Sequence, residues 1–311
     1  MPPTASVPAP DAIRLIDRRA ELLSADPAAG SIEDTELRDV TKALRTLLAG
    51  AGLAVRRIRY ETSPNLAERL ARSEPIHPVS DQADLLDRLD IDRRCYVIEH
   101  PDLPDRPLNV LWGALRQGLT GCLDDILDTA AATDDPHAAD TAVFYSIWLV
   151  EPGLVGLGRG EDLLVGAVDL LREELPNLTT FATLSPVLRF RRWVERHRPD
   201  QSMDADALER SCAEYLTTLD EGWRPVDPVA RFHLGNGARL VAVHANGDRS
   251  ARGWERSFGV MANYRYDLED RDANLGQLGS GTVPVSDEVA ALIAAPTADD
   301  DPGGPTEEPS G

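Results

Sequence analysis

A glycine-rich segment is the first candidate for chemistry, because it could bind a phosphate group. It runs from Pro152 to Glu161, after an apolar, strand-like stretch and before an amphipathic, helix-like one. Backbone N–H groups at such a turn, together with the positive end of a helix dipole, attract phosphate. The candidate binding residues are Gly153, Leu154, Val155, Gly156, Leu157, Gly158, Arg159 and Gly160.

Spacing alone leaves two interpretations of this segment open. One is a tight strand-to-helix turn, and the other is a loop for a pyrophosphate-bearing ligand of the coenzyme A type. The dinucleotide fingerprint G-x-G-x-x-G fails, because Gly156 and Gly158 are followed by Glu161 where a third glycine would be required. Within the loop, Arg159 could offset the acidic character of the chain locally.

The second candidate is Ser185, which follows a strand-like stretch at Thr179–Leu184 and precedes Pro186. Ser followed by Pro is typical of a helix start, with Ser as N-cap and Pro at the first helical position. We therefore predict a helix from Ser185-Pro186 through Arg196, with free amides beside the Ser185 hydroxyl. Since no G-x-S-x-G motif occurs, an α/β-hydrolase nucleophile is not supported.

The predicted helix after Ser185 is unusually rich in arginine. Two interpretations stay open: a solvated helix face, and a positive patch that would be the densest in this acidic chain. The residues concerned are Arg189, Arg191, Arg192, Arg196 and Arg198.

The third candidate is His233, which lies between apolar residues just before the Gly235-Asn236-Gly237 turn. A lone histidine in such a setting is either packed in the core or catalytic, and the pattern does not decide between them. The remaining histidines lack metal-ligand spacing such as H-x-x-x-H, so we predict no metal site.

Composition excludes several other kinds of chemistry. The chain has 311 residues and a formal net charge of −21, which opposes binding to nucleic acid and to anionic lipid. Its only lysine is Lys42, inside a helical pattern, so Walker-A, pyridoxal and biotin-carrier functions are all disfavoured. Three isolated cysteines indicate neither a zinc knuckle nor a disulfide framework.

The sequence shows no targeting signal. Met1–Asp11 does not resemble a signal peptide, the longest apolar run is too short for a membrane span, and Pro-Ser-Gly at the end is not a peroxisomal signal. We therefore expect a cytoplasmic protein without membrane contact.

Hydrophobic periodicity indicates a mixed α/β fold with a helical front end. We predict helices at 11–23, 33–48, 65–71, 81–89 and 161–174, in addition to the one after Ser185, and residues 119–128 form an amphipathic stretch. Strands are predicted at 54–60, 94–99, 108–115, 142–150, 179–184, 239–245 and 259–264. The expected organisation is an N-terminal helical region at 1–62, with 1–10 disordered, a catalytic domain at 63–292 and a disordered acidic tail at 293–311.

Taken together, the segments resemble the malonyl-CoA decarboxylase family over about residues 60–290. The resemblance begins at Pro64-Asn65-Leu66-Ala67-Glu68 and Ile76-His77-Pro78 and continues through Arg93-Arg94-Cys95-Tyr96. It then includes Phe144-Tyr145-Ser146, the glycine-rich segment and Leu184-Ser185-Pro186. It closes with Phe232-His233-Leu234, Asn236-Gly237 and Met261-Ala262-Asn263-Tyr264.

The resemblance implies a GNAT-like fold, that is, a mixed sheet flanked by helices, here behind a short, truncated helical region. It implies that Ser185 and His233 are the catalytic pair, that the glycine-rich segment binds coenzyme A, and that Asn236, Asn263 and Tyr264 support the site. The segment between Ser185 and His233 is shorter than in the family, and Val187-Leu188-Arg189-Phe190 stands where the family has Ile-Pro-Gly-Phe.

The implied reaction is decarboxylation of malonyl-CoA to acetyl-CoA and CO₂, with no cofactor, because the thioester carbonyl accepts the electrons. Ser185 would assist at the thioester oxygen or the departing carboxylate, and His233 would protonate the enolate carbon. Two alternatives stay open: a decarboxylase or acyltransferase for another malonyl-type thioester, bound to coenzyme A or a carrier protein, and a non-catalytic coenzyme A-binding protein. A homo-oligomer is also expected, although the truncated helical region alters the family's contacts.

Overall fold

The computed structural model describes residues 9–49, 52–128 and 133–294. The contacts within the chain divide it into two units. Unit 1 comprises Met1–Ser185 with Arg265–Glu269, and unit 2 comprises Pro186–Tyr264 with Asp270–Gly311.

Unit 1 contains a mixed sheet and the first six helices. The helices are α1 (Ala9–Ala25), α2 (Ile32–Leu48), α3 (Pro64–Ser73), α4 (Gln82–Asp87), α5 (Asp124–Leu127) and α6 (Gly160–Glu174). The strands are β1 (Ala54–Ile58), β2 (Arg93–Glu99), β3 (Asn109–Arg116), β4 (Thr141–Leu149) and β5 (Thr180–Thr183). A two-residue strand, β6 (Ser185–Pro186), lies where unit 1 passes into unit 2.

The sheet of unit 1 is antiparallel from β1 to β4 and parallel between β4 and β5. Residues pair in the register Ala54↔Glu99, Cys95↔Trp112 and Leu111↔Ile147. In the parallel pair, Thr141 lies opposite Thr180. A parallel pair requires a crossover connection, which α6 supplies. The glycine-rich segment therefore lies at the carboxyl end of β4 and the amino end of α6.

A close glycine contact and a helix cap help to position α6 and α2 in unit 1. A Cβ on Gly166 of α6 would lie 2.5 Å from Val55 Cγ2, so only glycine lets this helix approach β1 so closely. Helix α2 begins at the N-cap Ser31, whose hydroxyl accepts a hydrogen bond from the Asp34 amide at 3.0 Å. Its apolar stripe of Val40, Leu44 and Leu47 is buried, as amphipathic periodicity predicts.

Unit 2 contains the remaining helices and a pair of strands. The helices are α7 (Phe190–His197), α8 (Ala205–Thr217), α9 (Pro228–Gly235), α10 (Ala251–Ser257), α11 (Arg271–Gly279) and α12 (Asp287–Ala294). The strands β7 (Arg239–His244) and β8 (Met261–Arg265) pair with each other. Arg265, the last residue of β8, belongs to unit 1, where it pairs with Ala182 of β5.

The expected fold class, a mixed sheet flanked by helices behind a short helical region, is confirmed. Local structure differs from expectation in several places. Of the amphipathic stretch at 119–128 only the four residues of α5 are helical, and helices α8 to α12 were not predicted. Helix α8 buries Leu208, Cys212 and Leu216 at helical spacing, so its periodicity was a signal that the prediction missed.

The expected boundary between the helical region and the catalytic domain, at residues 62 and 63, stays a prediction. Helices α1 and α2 belong to the same unit as the sheet. Of the segment 1–10, expected to be disordered, residues 1–8 lie outside the described residues, and α1 begins at Ala9. The predicted tail lies outside them from residue 295 onward.

The described ranges contain neither a membrane-spanning helix nor a cluster of metal-ligating side chains. No helix there has the length and apolar character needed to cross a bilayer. No group of three or more His, Cys, Asp or Glu side chains there is arranged as metal ligands would be.

Candidate active site

The back of the glycine-rich segment is fixed against α1. A single 3₁₀ turn at Pro152–Leu154 follows β4, and a Cβ on Gly153 would lie 2.0 Å from the Ile16 carbonyl oxygen. The buried Arg19 guanidinium donates from Nη1 to the carbonyl oxygens of Gly153 at 2.7 Å and Val155 at 2.9 Å. Gly153 and Leu154 are buried. Gly153 is thus required for packing rather than for approach of a ligand.

The outer side of the segment is open to solvent. Val155, Gly156 and Gly158 are exposed, whereas Leu157 and Gly160 are buried. Gly156 has φ +74°, and a Cβ there would meet nothing within 4 Å. A Cβ on Gly158 would lie 2.9 Å from Leu149 Cδ1. Only this outer side can meet a ligand without rearrangement.

Arg159 is directed back into the protein. Its amide donates to Asn109 Oδ1 at 2.7 Å, and its Nη2 donates to the Leu48 carbonyl oxygen at 2.5 Å. Nη1 lies 3.5 Å from Asp162 Oδ2 in the first turn of α6. The Arg159 guanidinium is therefore largely engaged by groups of the protein itself. Phosphates at this loop would depend mainly on backbone amides.

Ser185 is not a helix N-cap, and this prediction was wrong. Ser185–Pro186 forms β6, and α7 begins only at Phe190. Leu184, Ser185 and Val187 are all buried, which holds this part of the chain extended. A residue before proline also disfavours the helical region. The amides of a helix start are therefore not available beside the Ser185 hydroxyl.

The Ser185 hydroxyl is instead held by the last residue of β5, the strand before it in the chain. Its Oγ donates to Thr183 Oγ1 at 2.9 Å. Both residues are buried, with exposed fractions of 6% and 3%. The hydroxyl is thereby oriented at the end of β5, within unit 1.

His233 lies on α9, a helix fixed at its start by a buried carboxylate. Asp227 is the N-cap, and its Oδ1 accepts from the amides of Val229 at 2.8 Å and Ala230 at 2.9 Å. Its Oδ2 accepts from the Tyr215 hydroxyl at 3.2 Å. Since Asp227 is fully buried, desolvation raises the pKa of its carboxyl group. This arrangement sets the position of α9 within unit 2.

The His233 ring lies in an apolar, aromatic environment. It stacks on Tyr264 with ring centroids 4.6 Å apart, and the Phe232 ring meets it edge-on at 5.0 Å. Desolvation lowers the pKa of His233 to about 3. The imidazole is therefore neutral at physiological pH.

The supporting residues predicted around His233 all lie in unit 2. Asn236 caps the end of α9, where its amide donates to the Phe232 carbonyl oxygen at 3.2 Å. Its buried Nδ2 has no hydrogen-bond partner in the described part of the chain. Asn263 Oδ1 lies 2.5 Å from His244 Nε2. Asn236 thus retains an unused donor three residues after His233.

The structure groups the predicted residues by unit. The glycine-rich segment and Ser185 lie in unit 1, and the structure brings His233 and Tyr264 into contact in unit 2. That Ser185 and His233 act on one substrate stays a prediction.

Sequence reasoning missed the residues that hold these candidates in place. They are Arg19 and Asn109 behind the loop, Thr183 beside Ser185, and Asp227 with Tyr215 at α9. The Asp227-Pro228 pair carried a usable signal, because Asp followed by Pro is typical of a helix start. Nothing in the sequence pattern marks Arg19, whose contacts with Gly153 and Val155 span 134 and 136 residues.

Comparison with known proteins assigns the family. Residues 51–223 and 201–301 match the profile of the malonyl-CoA decarboxylase C-terminal domain. The chain is 28% identical to the mitochondrial malonyl-CoA decarboxylases of goose (Anser anser anser) and rat (Rattus norvegicus), with 90% of this chain covered. It is 32% identical to the crystal structure of malonyl-CoA decarboxylase from Agrobacterium vitis, with a TM-score of 0.81.

The coverage of these relatives differs. The match covers 66% of the goose protein and 68% of the rat protein, so the chain spans about two thirds of the length of these curated relatives. The match with the Agrobacterium vitis structure covers 91% of this chain and 76% of that chain. A second structure, from Rhodopseudomonas palustris, is 33% identical with a TM-score of 0.78, and the match covers 90% of this chain and 71% of that one. The chain therefore belongs to the malonyl-CoA decarboxylase family, a family of carboxy-lyases.

Proposed function

We propose that the protein decarboxylates malonyl-CoA to acetyl-CoA and CO₂. The observation that carries this proposal is the family match over residues 51–301, which includes the glycine-rich segment, Ser185 and His233. The Agrobacterium vitis and Rhodopseudomonas palustris relatives bear the name of this activity and share the fold at TM-scores of 0.81 and 0.78.

The reaction needs stabilisation of one anion and delivery of one proton. The bond between the carboxylate and the α-carbon breaks, CO₂ leaves, and the electron pair moves into the thioester carbonyl to give an enolate. A proton then adds to the α-carbon and gives the acetyl thioester. Donors placed at the developing oxyanion are typically worth about 2.7–4 kcal/mol each. No electron acceptor other than the thioester itself is required.

Ser185 is proposed to donate a hydrogen bond to the thioester oxygen. Its hydroxyl is already oriented by Thr183 at 2.9 Å, so its position costs little reorganisation when the substrate replaces that acceptor. In this role Ser185 forms no covalent acyl-enzyme. The donor is a side-chain hydroxyl and not the start of a helix.

Burial of His233 supports a different role from that of an imidazolium acid. With its pKa lowered to about 3, the imidazolium form is scarce near neutral pH. A neutral imidazole is a good hydrogen-bond donor to a developing oxyanion and a poor source of a proton for carbon. We therefore assign His233 as a neutral donor, with water protonating the α-carbon. The unused Asn236 Nδ2 is a second candidate donor in the same unit.

The outer side of the glycine-rich segment is proposed to bind the pyrophosphate of coenzyme A. The loop precedes α6, where orphan amides and the helix dipole favour an anion. A Cβ on Gly156 would stand in open space, so its absence leaves the backbone accessible there. The thioester joins coenzyme A to the acyl group that contains the reacting carbon, so a bound pyrophosphate would also present this acyl group.

A panel of carboxyacyl-CoA thioesters tests the proposal. Malonyl-, methylmalonyl- and succinyl-CoA are incubated with the protein, and loss of CO₂ is followed by mass spectrometry. We expect turnover of malonyl-CoA and none of succinyl-CoA. In succinyl-CoA the carboxylate is not attached to the carbon next to the thioester carbonyl, so loss of CO₂ would not give the enolate. Preferred turnover of methylmalonyl-CoA would redirect the substrate assignment, and loss of CO₂ from none of them would reject the proposal. Cytoplasmic location and a homo-oligomer stay predictions.

A further inference from the structure

Two helices of unit 2 present an excess of positive charge in an acidic protein. Segments 187–197 and 249–257 hold seven arginines against two glutamates, while the whole chain has a net charge of −21. The arginines are Arg189, Arg191, Arg192, Arg196, Arg249, Arg252 and Arg256. We call this surface the α7–α10 face.

The two helices of the α7–α10 face are packed together. The Arg191 guanidinium lies 5.1 Å from the centroid of the Phe258 ring, at the end of α10. The Phe258 ring also meets Phe190 of α7 edge-on at 6.5 Å. The arginines of both helices therefore belong to one continuous surface.

The charges on this face are close together and incompletely neutralised. Arg191 pairs with Glu195 at 2.8 Å, whereas Arg192 and Arg196 are exposed and pair with no carboxylate of the described residues. Burial lowers the pKa of Arg256, the neighbouring Arg252 adds to this effect, and Asp248 opposes it. Like charges held this close are stabilised when a carboxylate-rich partner binds.

Apolar side chains within the face point to a protein partner rather than to nucleic acid. Trp254 on α10 is 49% exposed, and Leu188, two residues before α7, is 40% exposed. Tryptophan and arginine are enriched at the energetic centres of protein–protein interfaces. The acidic remainder of the chain would repel a nucleic acid that extended beyond the face.

We propose that the α7–α10 face binds an acidic acyl carrier protein, one rich in Asp and Glu that presents a malonyl thioester on a flexible arm. This inference rests on the proposed function, because it assumes that malonyl thioesters are decarboxylated. The charge of such a carrier complements the face, and its thioester is chemically the same as that of malonyl-CoA. Helix α7 begins five residues after Ser185 in the chain.

The test compares one reaction on two carriers. Decarboxylation of malonyl-CoA and of a malonylated acyl carrier protein is measured with the wild type and with Arg192→Glu/Arg252→Glu. Each substitution lies in the first turn of its helix, where glutamate is favoured by the helix dipole. A matched control, Arg38→Glu/Arg72→Glu, makes the same change in net charge at two exposed sites in unit 1.

We expect the paired reversal to lower kcat/KM for the carrier-bound substrate by at least about tenfold, since steering by complementary charge commonly contributes that much or more. Turnover of malonyl-CoA should be unchanged, and the control should retain both activities. Trp254→Ser should weaken the carrier reaction alone. A second readout is binding of the unacylated carrier at increasing salt, which should weaken steeply in the wild type and the control but not in Arg192→Glu/Arg252→Glu.

Three outcomes would overturn the inference. They are a carrier substrate that is not decarboxylated, an equal loss in the control pair, and tighter binding of a single-stranded oligonucleotide than of the carrier. The proposed function fails separately, if neither malonyl-CoA nor the malonylated carrier loses CO₂.

Discussion

At the scale of single residues, burial decides what the two catalytic candidates can do. His233 is neutral because burial lowers its pKa, and Ser185 is oriented by a neighbouring hydroxyl rather than by a helix end. The apolar surroundings of His233 were expected from its neighbours in the sequence, whereas the hydroxyl contact of Ser185 was not. A residue type at a motif position does not reveal its burial, which depends on segments distant in the chain.

The depressed pKa of His233 predicts how stability depends on pH. The unfolded chain binds the proton with a pKa near 6.5 and the native chain only near 3, so native stability is lost as pH falls through this window. The loss is about 1.4 kcal/mol per pH unit. His233→Asn has no such group, and its stability should decline less steeply. Urea unfolding at pH 6.0 and pH 4.5 should show wild type losing about 2 kcal/mol more than the variant.

Parallel stability curves for the two proteins would show that His233 has the same pKa, near 6.5, in the native and unfolded states. In that case His233 could act as the acid that protonates the α-carbon, and kcat would fall as pH rises through its pKa. Our assignment instead predicts a kcat that changes little between pH 6 and pH 8.

Ser185→Ala should affect catalysis far more than stability. The expected stability cost is about 1 kcal/mol, the value of one buried hydrogen bond, because no helix cap is lost. Loss of an oxyanion donor should lower kcat by about 100-fold or more, with coenzyme A affinity retained. Thr183→Val is the control, because it removes the same hydrogen bond but leaves the Ser185 hydroxyl in place.

A Ser185→Ala protein with undiminished kcat would remove this hydroxyl from the mechanism. An acyl group found on Ser185 of the wild type by mass spectrometry would contradict direct decarboxylation and favour a covalent route.

At the scale of elements, the sequence predicted the sheet and the loop better than the helices of unit 2. Strands β2, β3 and β4 each contain a run of apolar residues, and their bounds differ from expectation by at most one residue. The glycine-rich segment was correctly placed between β4 and α6. The start of α7 was misplaced because Ser-Pro is also compatible with a buried, extended chain, and the burial of Leu184, Ser185 and Val187 depends on tertiary packing.

A substitution in the glycine-rich segment should reduce coenzyme A binding without a large loss of stability. Gly156 and Gly118 both have positive φ, at +74° and +77°, and a Cβ at either would meet nothing within 4 Å. Asn tolerates this backbone region better than most residues, so Gly156→Asn and Gly118→Asn should each cost about 1 kcal/mol or less. Only Gly156→Asn should reduce the stabilisation by coenzyme A, since it adds a side chain on the outer side of the loop.

Thermal unfolding with and without coenzyme A checks this. At about 100 times the dissociation constant, a ligand that binds only the native state adds roughly 2.7 kcal/mol. Equal stabilisation of both variants by coenzyme A would place the ligand elsewhere.

At the scale of the whole molecule, charge is unevenly divided. The net charge of −21 is a property of composition, whereas the grouping of seven arginines on the α7–α10 face depends on the packing of α7 with α10. The five arginines from Arg189 to Arg198 are evident in the sequence, whereas the contribution of α10 is not, because α10 was not predicted. Net charge alone could not locate a surface of opposite charge, and the absence of nucleic-acid binding stays a prediction.

The central claim is that the protein cleaves CO₂ from malonyl-CoA through an enolate. The most direct measurement is incubation of malonyl-CoA with the wild type in deuterated water, with mass spectrometry of the thioester and quantification of CO₂. The account predicts one CO₂ for each acetyl-CoA formed and one deuterium in the acetyl methyl group. It also predicts that the rate falls sharply in Ser185→Ala. Malonyl-CoA recovered intact, with no CO₂ released, would contradict the account.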